Sequence, residues 1–194
     1  MSSSPPPAPP SRSPNDDERR FKSITSPCEW AEHYHPGGYH PVHLGDVFND
    51  GRYKVIRKLG EGAYSTVWLA RDVKDNRYVA LKILVPKPSE SPIEQQILQH
   101  IAQVAPEEGN RHITKLLGEF EHQGPNGVHK CLVFEPMGPN MNVRYPPQMA
   151  KSILKQSLQG LAFLHRNGIA HGDFQPGNML FTLKDIDSKG EDVL

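Results

Sequence analysis

A glycine-rich turn between two β-prone runs constrains this chain more than any other feature. Tyr53-Lys54-Val55-Ile56-Arg57-Lys58-Leu59 precedes Gly60-Glu61-Gly62-Ala63-Tyr64, and Ser65-Thr66-Val67-Trp68-Leu69-Ala70 follows it. β-Branched and aromatic residues fit a pleated, half-buried surface, and glycine turns the chain without a Cβ penalty. The order strand, turn, strand predicts an antiparallel hairpin and differs from the strand, turn, helix order of a dinucleotide fingerprint or Walker loop. Glycines also let backbone N–H groups come close to phosphate oxygens. An ordinary hairpin explains Gly60 and Gly62 equally, and Ser65 stands where a Gly-x-Gly-x-x-Gly pattern has its third glycine.

The pattern continues as a small mixed domain. Asp75-Asn76 precedes a third β-prone run over 78–85. Ser91-Pro92-Ile93-Glu94 reads as a helix start, with a Ser cap, Pro at the first helical position and Glu three residues after the cap. Ile93, Ile97, Leu98 and Ile101 recur at helical spacing, and Pro106 closes the element. Runs over 113–120 and 128–134 flank the turn Gly124-Pro125-Asn126-Gly127. A Gly/Pro/Asn-rich hinge over 138–147 leads into a long amphipathic pattern ending at Asn167-Gly168. Five strands and one helix therefore precede a hinge and a helical region.

Composition sets outer limits. The 194 residues carry 22 Lys+Arg against 22 Asp+Glu, which argues against a strongly basic nucleic-acid binder or an acidic tail protein. No apolar run reaches the length of a membrane span, and the polar Ser/Pro start lacks a signal peptide's pattern. Cys28 and Cys131 match no metal or disulfide framework, which fits a reducing compartment. Residues 1–28 contain almost nothing apolar and read as a disordered tail. Their proline runs suit either a solvated tail or a polyproline ligand, and Ser11-Arg12-Ser13-Pro14 suits phosphorylation. His33, His35, His40 and His43 fit no zinc spacing and read as structural or exposed imidazoles.

Two further constellations carry chemistry. In Val79-Ala80-Leu81-Lys82-Ile83-Leu84 a lysine interrupts an apolar strand, and a buried ammonium asks for an anion, with Glu94 the natural partner. A solvent-facing Lys82 and a Glu94 engaged only in capping are the alternatives. His171-Gly172-Asp173-Phe174-Gln175-Pro176-Gly177-Asn178 places an Asn five residues after an Asp in a loop held by Pro and Gly. That spacing suits a base accepting a hydroxyl proton and an amide oxygen ligating Mg²⁺, or a plain Asx-rich turn.

In this order, residues 53–181 resemble the first half of a eukaryotic protein kinase catalytic domain. Gly38-Tyr39-His40-Pro41-Val42, Gly45-Asp46-Val47-Phe48 and the first strands resemble the SR-protein kinase family, which phosphorylates serines in Arg/Ser-rich proteins. The resemblance implies an α+β, protein kinase-like fold: a five-stranded antiparallel small lobe with one helix, then a truncated helical large lobe. The divisions are a tail at 1–28, a lead-in at 29–52, the small lobe at 53–137, and the hinge and partial large lobe at 138–194. It implies ATP and Mg²⁺ as cofactors, a protein substrate that is Arg/Ser-rich, no direct nucleic acid or membrane partner, and a cytoplasmic location with the nucleus as a second one.

By position, residues 59–67 would cover the nucleotide, Lys82 would hold the α- and β-phosphates, and Glu94 would orient Lys82. Leu59, Val67 and Ala80 would sandwich adenine, with Phe134 as gatekeeper and Glu135 and Met137 offering backbone groups. Asp173 would deprotonate the substrate hydroxyl, and Asn178 would bind magnesium. Gly172 departs from the usual Arg, and from the Thr typical of SR-protein kinases. Gln175 replaces the usual Lys that neutralises the transferring phosphoryl group, which weakens transition-state stabilisation, and Gly177 replaces the usual Glu.

The loop string also resembles aminoglycoside and choline phosphotransferases, a rival reading, and a nucleotide-binding pseudokinase is a third. No Asp-Phe-Gly follows Phe181, and Asp185 and Asp187 are read as part of a solvated tail. The expectation is nucleotide binding with little turnover from these 194 residues.

Overall fold

The computed structural model describes residues 29–86, 93–104, 110–183 and 185–191, the side chains of 93–95 excepted. The N-terminal tail, the Ser91-Pro92 helix cap, the Glu94 side chain, Pro106 and Cys28 lie outside the described residues. Two compact units form, Met1–Glu90 with Gly118–Val133, and Ser91–Leu117 with Phe134–Leu194.

The first unit is built on a sheet that is six-stranded among the described residues. Its strands are β1 (Val47–Phe48), β2 (Tyr53–Gly62), β3 (Ser65–Asp72), β4 (Arg77–Leu84), β5 (Leu116–Gly124) and β6 (Gly127–Phe134), in the order β1-β2-β3-β4-β6-β5. The pairs β1–β2, β2–β3 and β3–β4 are antiparallel. Five of these strands are the ones read from the sequence. The two-residue β1 is additional, because a strand that short carries no periodicity and exists only through its pairing of Val47 with Lys54 and Phe48 with Tyr53.

β3 and β4 are buried or half-buried throughout because they lie inside the sheet, each with a strand on either side. Val79, Leu81 and Ile83 are essentially fully buried. Each contributes about 2 kcal/mol by removing its side chain from water. Asp72, at the end of β3, is the charged exception at 0% exposure. Arg52 grips it in a fork, with Nε on Oδ1 at 2.9 Å and Nη2 on Oδ2 at 2.8 Å. The N–H groups of Lys74 and Asp75 also donate to Oδ1, so the β3–β4 turn is tied to the same carboxylate. Toward β5, Tyr53 stacks on Phe120 with ring centroids 5.5 Å apart.

Three histidines meet in this unit. His40 lies 4.7 Å from His122 and 4.9 Å from His129, ring centroid to centroid, and Phe48 closes the cluster 4.5 Å from His122. Burial is the main force lowering all three pKa values, and His40 falls to about 4. Burial also pushes the Cys131 thiol up to about 12, so it sits in the core as an inert thiol.

In the second unit, α1 (Ile93–Gln103) and the C-terminal half of α2 (Pro147–Arg166) share one core. Ile97, Ile101 and Val104 pack with Phe163, Leu164, Ile113 and Ile169. α2 stops at Asn167 as read from the sequence. Gly168, at φ +72°, donates to the His165 carbonyl, and Ile169 donates back to Leu164, while Ile169 and Leu164 share the core. The N-terminal half of the same stripe is open, with Leu154 and Leu158 at least half exposed.

Within the expected hinge a strand appears. β7 (Met137–Asn140) pairs antiparallel with β8 (Leu180–Thr182), Met137 opposite Thr182 and Asn140 opposite Leu180. A partner about forty residues away makes this strand, and no local pattern announces it. Beyond β8, Ile186–Ser188 forms a single 3-10 turn where the sequence reads as a solvated tail, and Asp185 and Asp187 are exposed. No helix among the described residues is long and apolar enough to cross a membrane.

Candidate active site

In the first unit, the register of β3 and β4 decides which residues stand beside Lys82. Val67 pairs directly with Lys82, and Ala80 lies two residues from Lys82 on the same strand, so all three share one face of the sheet. Gly60 on β2 pairs with Val67, extending that face to the glycine-rich strand. Lys82 is half-buried among fully buried neighbours, as expected for a lysine interrupting an apolar strand. A register shift between Lys58 and Gly60 makes Leu59 the bulged residue, 40% exposed.

The turn itself is a tight hairpin. Gly62 pairs with Ser65, Ala63 and Tyr64 form its tip, and Tyr64 is 61% exposed. A Cβ at Gly60 would meet nothing within 4 Å, which leaves open space for a group to approach that backbone. Glu61 is held by the Lys58 ammonium at 2.6 Å. Thr66 faces the core, where its hydroxyl accepts the Trp68 indole N–H at 3.0 Å, so its side chain lies on the face opposite Val67 and Lys82.

In the second unit, the loop 171–178 brings three of the expected residues together. Gln175 donates from Nε2 to Asp173 Oδ1 at 2.8 Å. Asn178 donates from Nδ2 to Asp173 Oδ2 at 2.6 Å and to the Asp173 carbonyl at 3.0 Å. Both oxygens of one exposed carboxylate are thus held by neutral amides, which orient Asp173. A one-turn 3-10 helix, Pro176–Asn178, sets that geometry, and Pro at its first position supplies the fixed φ. His171 accepts the Asp173 N–H on Nδ1 at 3.3 Å and meets the Phe174 ring edge-on.

Gly172 precedes the carboxylate at φ +76°. A side chain there would meet nothing within 4 Å, so the backbone angle, not space, is what suits glycine at a position where the kinase pattern has Arg.

The loop is braced by its own unit. The Met141 N–H, just past β7, donates to the carbonyls of Pro176 and Met179 at 3.1 and 3.0 Å. Ser157 on α2 donates to the Met179 sulfur at 3.4 Å. Sequence reading missed Met141, because a backbone donor leaves no residue-type signal. Glu135, Met137, Met149, Gln175 and Asn178 line one cavity of about 400 Å³ in this unit. Phe134 ends β6 and is half-buried. Glu94 lies on α1, its side chain outside the described residues.

A twisted sheet carrying a glycine-rich hairpin and a central lysine, with an Asp-to-Asn loop after a long helix, defines a protein kinase fold. The chain belongs to the protein kinase domain family, whose model matches residues 53–191. Its relatives are protein kinases, SRSF protein kinases among them. It is 40% identical over 189 residues to serine/threonine-protein kinase SKY1 of Saccharomyces cerevisiae, matching 88% of this chain and 24% of that one. It is 40% identical over 165 residues to human SRSF protein kinase 3, matching 78% of this chain and 29% of the relative. The crystal structure of a kinase domain aligns with TM-score 0.65 and 26% identity over 75% of this chain and 44% of that chain. The chain therefore spans about a quarter of the length of these curated relatives.

Proposed function

We propose that this chain carries the nucleotide-covering and hydroxyl-activating parts of a serine/threonine protein kinase that acts on Arg/Ser-rich proteins. The observation that carries the reading is the Asp173 carboxylate, held on both oxygens by Gln175 and Asn178 in a chain of the protein kinase family. The reaction joins a substrate hydroxyl oxygen to the γ-phosphorus of ATP and breaks the β–γ P–O bond, releasing ADP. Asp173 orients the hydroxyl and takes its proton, and positioning and electrostatics supply most of the rate.

Residues 59–67 cover the nucleotide, Lys82 meets its α- and β-phosphates, and Glu94 orients Lys82. Leu59, Val67 and Ala80 contact adenine from one side, with Phe134, Glu135 and Met137 supplying the gatekeeper and hinge groups. The donor set fits Mg²⁺: the Asn178 NH₂ is spent on Asp173, so its Oδ1 is the hard oxygen that would hold the cation. A Mg²⁺ ion held by Asn178 would supply neutralisation of charge on the phosphates.

Gln175 favours a second reading, nucleotide binding with little transfer, because it occupies one oxygen of the base and brings no positive charge. Titration of the chain with a fluorescent ATP analogue and Mg²⁺ tests both. Saturable binding that weakens at least about tenfold in Lys82→Ala supports the pocket, since a charge-assisted phosphate contact is removed. Equal behaviour of the two proteins sinks it. Phosphate transfer to an Arg/Ser peptide then separates the kinase from the binding module.

A further inference from the structure

The nucleotide reading leaves residues 29–39 without a role, yet they reach the glycine-rich turn. This segment folds on itself: Ala31–His33 forms a 3-10 turn, and the Tyr39 N–H donates to the His33 carbonyl at 2.9 Å. A Cβ at Gly38 would collide with the His33 carbonyl oxygen, so the close fold depends on glycine there. Its base is fastened to the β5–β6 turn. The Gly37 N–H donates to the Asn126 carbonyl at 2.7 Å, and the Asn126 side-chain amide donates to the Tyr39 carbonyl at 2.6 Å.

From that base two contacts reach β2. The Tyr39 hydroxyl donates to the Gly62 carbonyl at 2.8 Å. The Glu29 carboxylate accepts the Lys58 ammonium and the Tyr34 hydroxyl, and Lys58 in turn holds Glu61. Tyr39 is 6% exposed, with the rings of His33 and Tyr34 packed edge-on against it, so its hydroxyl is presented by a rigid ring.

The geometry points to Tyr39 as a positioning residue for the phosphate-facing side of the glycine-rich turn, an inference that rests on the nucleotide reading above. The Gly62 carbonyl and the Ala63 N–H belong to one planar peptide, and a trans peptide points them in opposite directions. Fixing the carbonyl on Tyr39 therefore fixes the Ala63 N–H on the side away from it, as a preset donor for a nucleotide phosphate. At the hairpin tip Gly62 has no Cβ to restrain that peptide beyond its pairing with Ser65, and further ordering by Tyr39 beforehand lowers the entropy lost on binding. The strap acts on the phosphates and leaves the adenine contacts alone.

Tyr39→Phe removes the hydroxyl and keeps the ring. AMP-PNP affinity should fall about two- to tenfold, the range of one neutral hydrogen bond, while adenosine affinity stays unchanged. A merely structural Tyr39 would move both ligands together, or neither, and either result overturns the proposal. Backbone ¹⁵N order parameters of residues 62–64, measured without ligand, separate this inference from the reading it rests on. A drop from a rigid value of about 0.85 in Tyr39→Phe, with a wild type that binds no nucleotide, refutes the nucleotide reading and keeps the strap. Unchanged order parameters refute the strap itself. Asn126→Ala, which removes the side-chain half of the base and keeps its backbone bond to Gly37, should loosen residues 62–64 in the same direction and serves if Tyr39→Phe does not fold.

Discussion

The side-chain amide of Asn178 donates to both the carboxylate and the backbone carbonyl of Asp173, at 2.6 and 3.0 Å. One residue thus closes the loop through its amide nitrogen. Asn178→Ala should leave overall stability within about 1 kcal/mol, since the bonds are exposed to competing water. It should remove most of the Mg²⁺-dependent gain in AMP-PNP affinity. Calorimetric titrations with and without Mg²⁺ check this, and an unchanged gain would show that Asn178 is not the ligand.

Gly172 and Gly177 lie in the same loop, both with open space where a side chain would begin, but only Gly172 has a positive φ. Gly172→Ala should cost about 1 kcal/mol through the left-handed backbone alone. Gly177→Ala should be neutral or stabilise slightly, by up to about 1 kcal/mol, through the unfolded chain. Urea unfolding of the two variants against wild type gives the difference, and equal effects would contradict the backbone argument.

His40 carries an acid limb of stability. Its pKa is lowered to about 4 by burial, then by the nearby His122 and His129, with Asp46 opposing. The folded state therefore holds His40 neutral at pH values where the unfolded chain already binds a proton. Stability is fully present above the ordinary pKa of 6.5 and is lost as pH falls toward 4. The loss should be about 2–3 kcal/mol from this group, and His122 and His129, also lowered chiefly by burial, add in the same direction. Urea midpoints between about pH 7.5 and 4.5 should show the slope, and His40→Leu should flatten it.

Asp72 defines a second, lower limb. The Arg52 hydrogen bond is the largest influence on its carboxyl and holds it below the usual range against burial. That contribution is present above its unfolded pKa of 3.8 and disappears as pH falls below it. Asp72→Ala should cost about 3 kcal/mol, because it removes both forked bonds from Arg52, leaving it the Asp75 carboxylate alone, and strands the Lys74 and Asp75 N–H groups. Denaturant melts of Asp72→Ala and of the double variant with Arg52→Met test this. A double variant no more stable than the sum of the singles would show that the pair is not coupled.

Where one stretch of chain supplies its own reason to fold, the sequence is legible. The hairpin at 60–64, the apolar run around Lys82 and the stop at Asn167-Gly168 all depend on residues close in sequence. β1 and β7 were not legible, since each is a short run without alternation whose hydrogen bonds come from another strand. The loop was legible as a spacing from Asp173 to Asn178. The bonds that close it, and the positive φ at Gly172, belong to backbone geometry that residue types do not encode.

Sequence alone determined the order of the five longer strands and the two helices, the protein kinase resemblance and the residue types at Lys82, Asp173, Gln175 and Asn178, because periodicity and motif spacing are local properties of the chain. Tertiary structure decided that Val67 and Ala80 share a face with Lys82, that both Asp173 oxygens are held by amides, and that Tyr39 reaches the Gly62 carbonyl. Those relations depend on sheet register, loop closure and a contact across 23 positions. Each is a choice among many pairings that local propensity leaves equal, and packing separates them by burying the apolar faces in one register only.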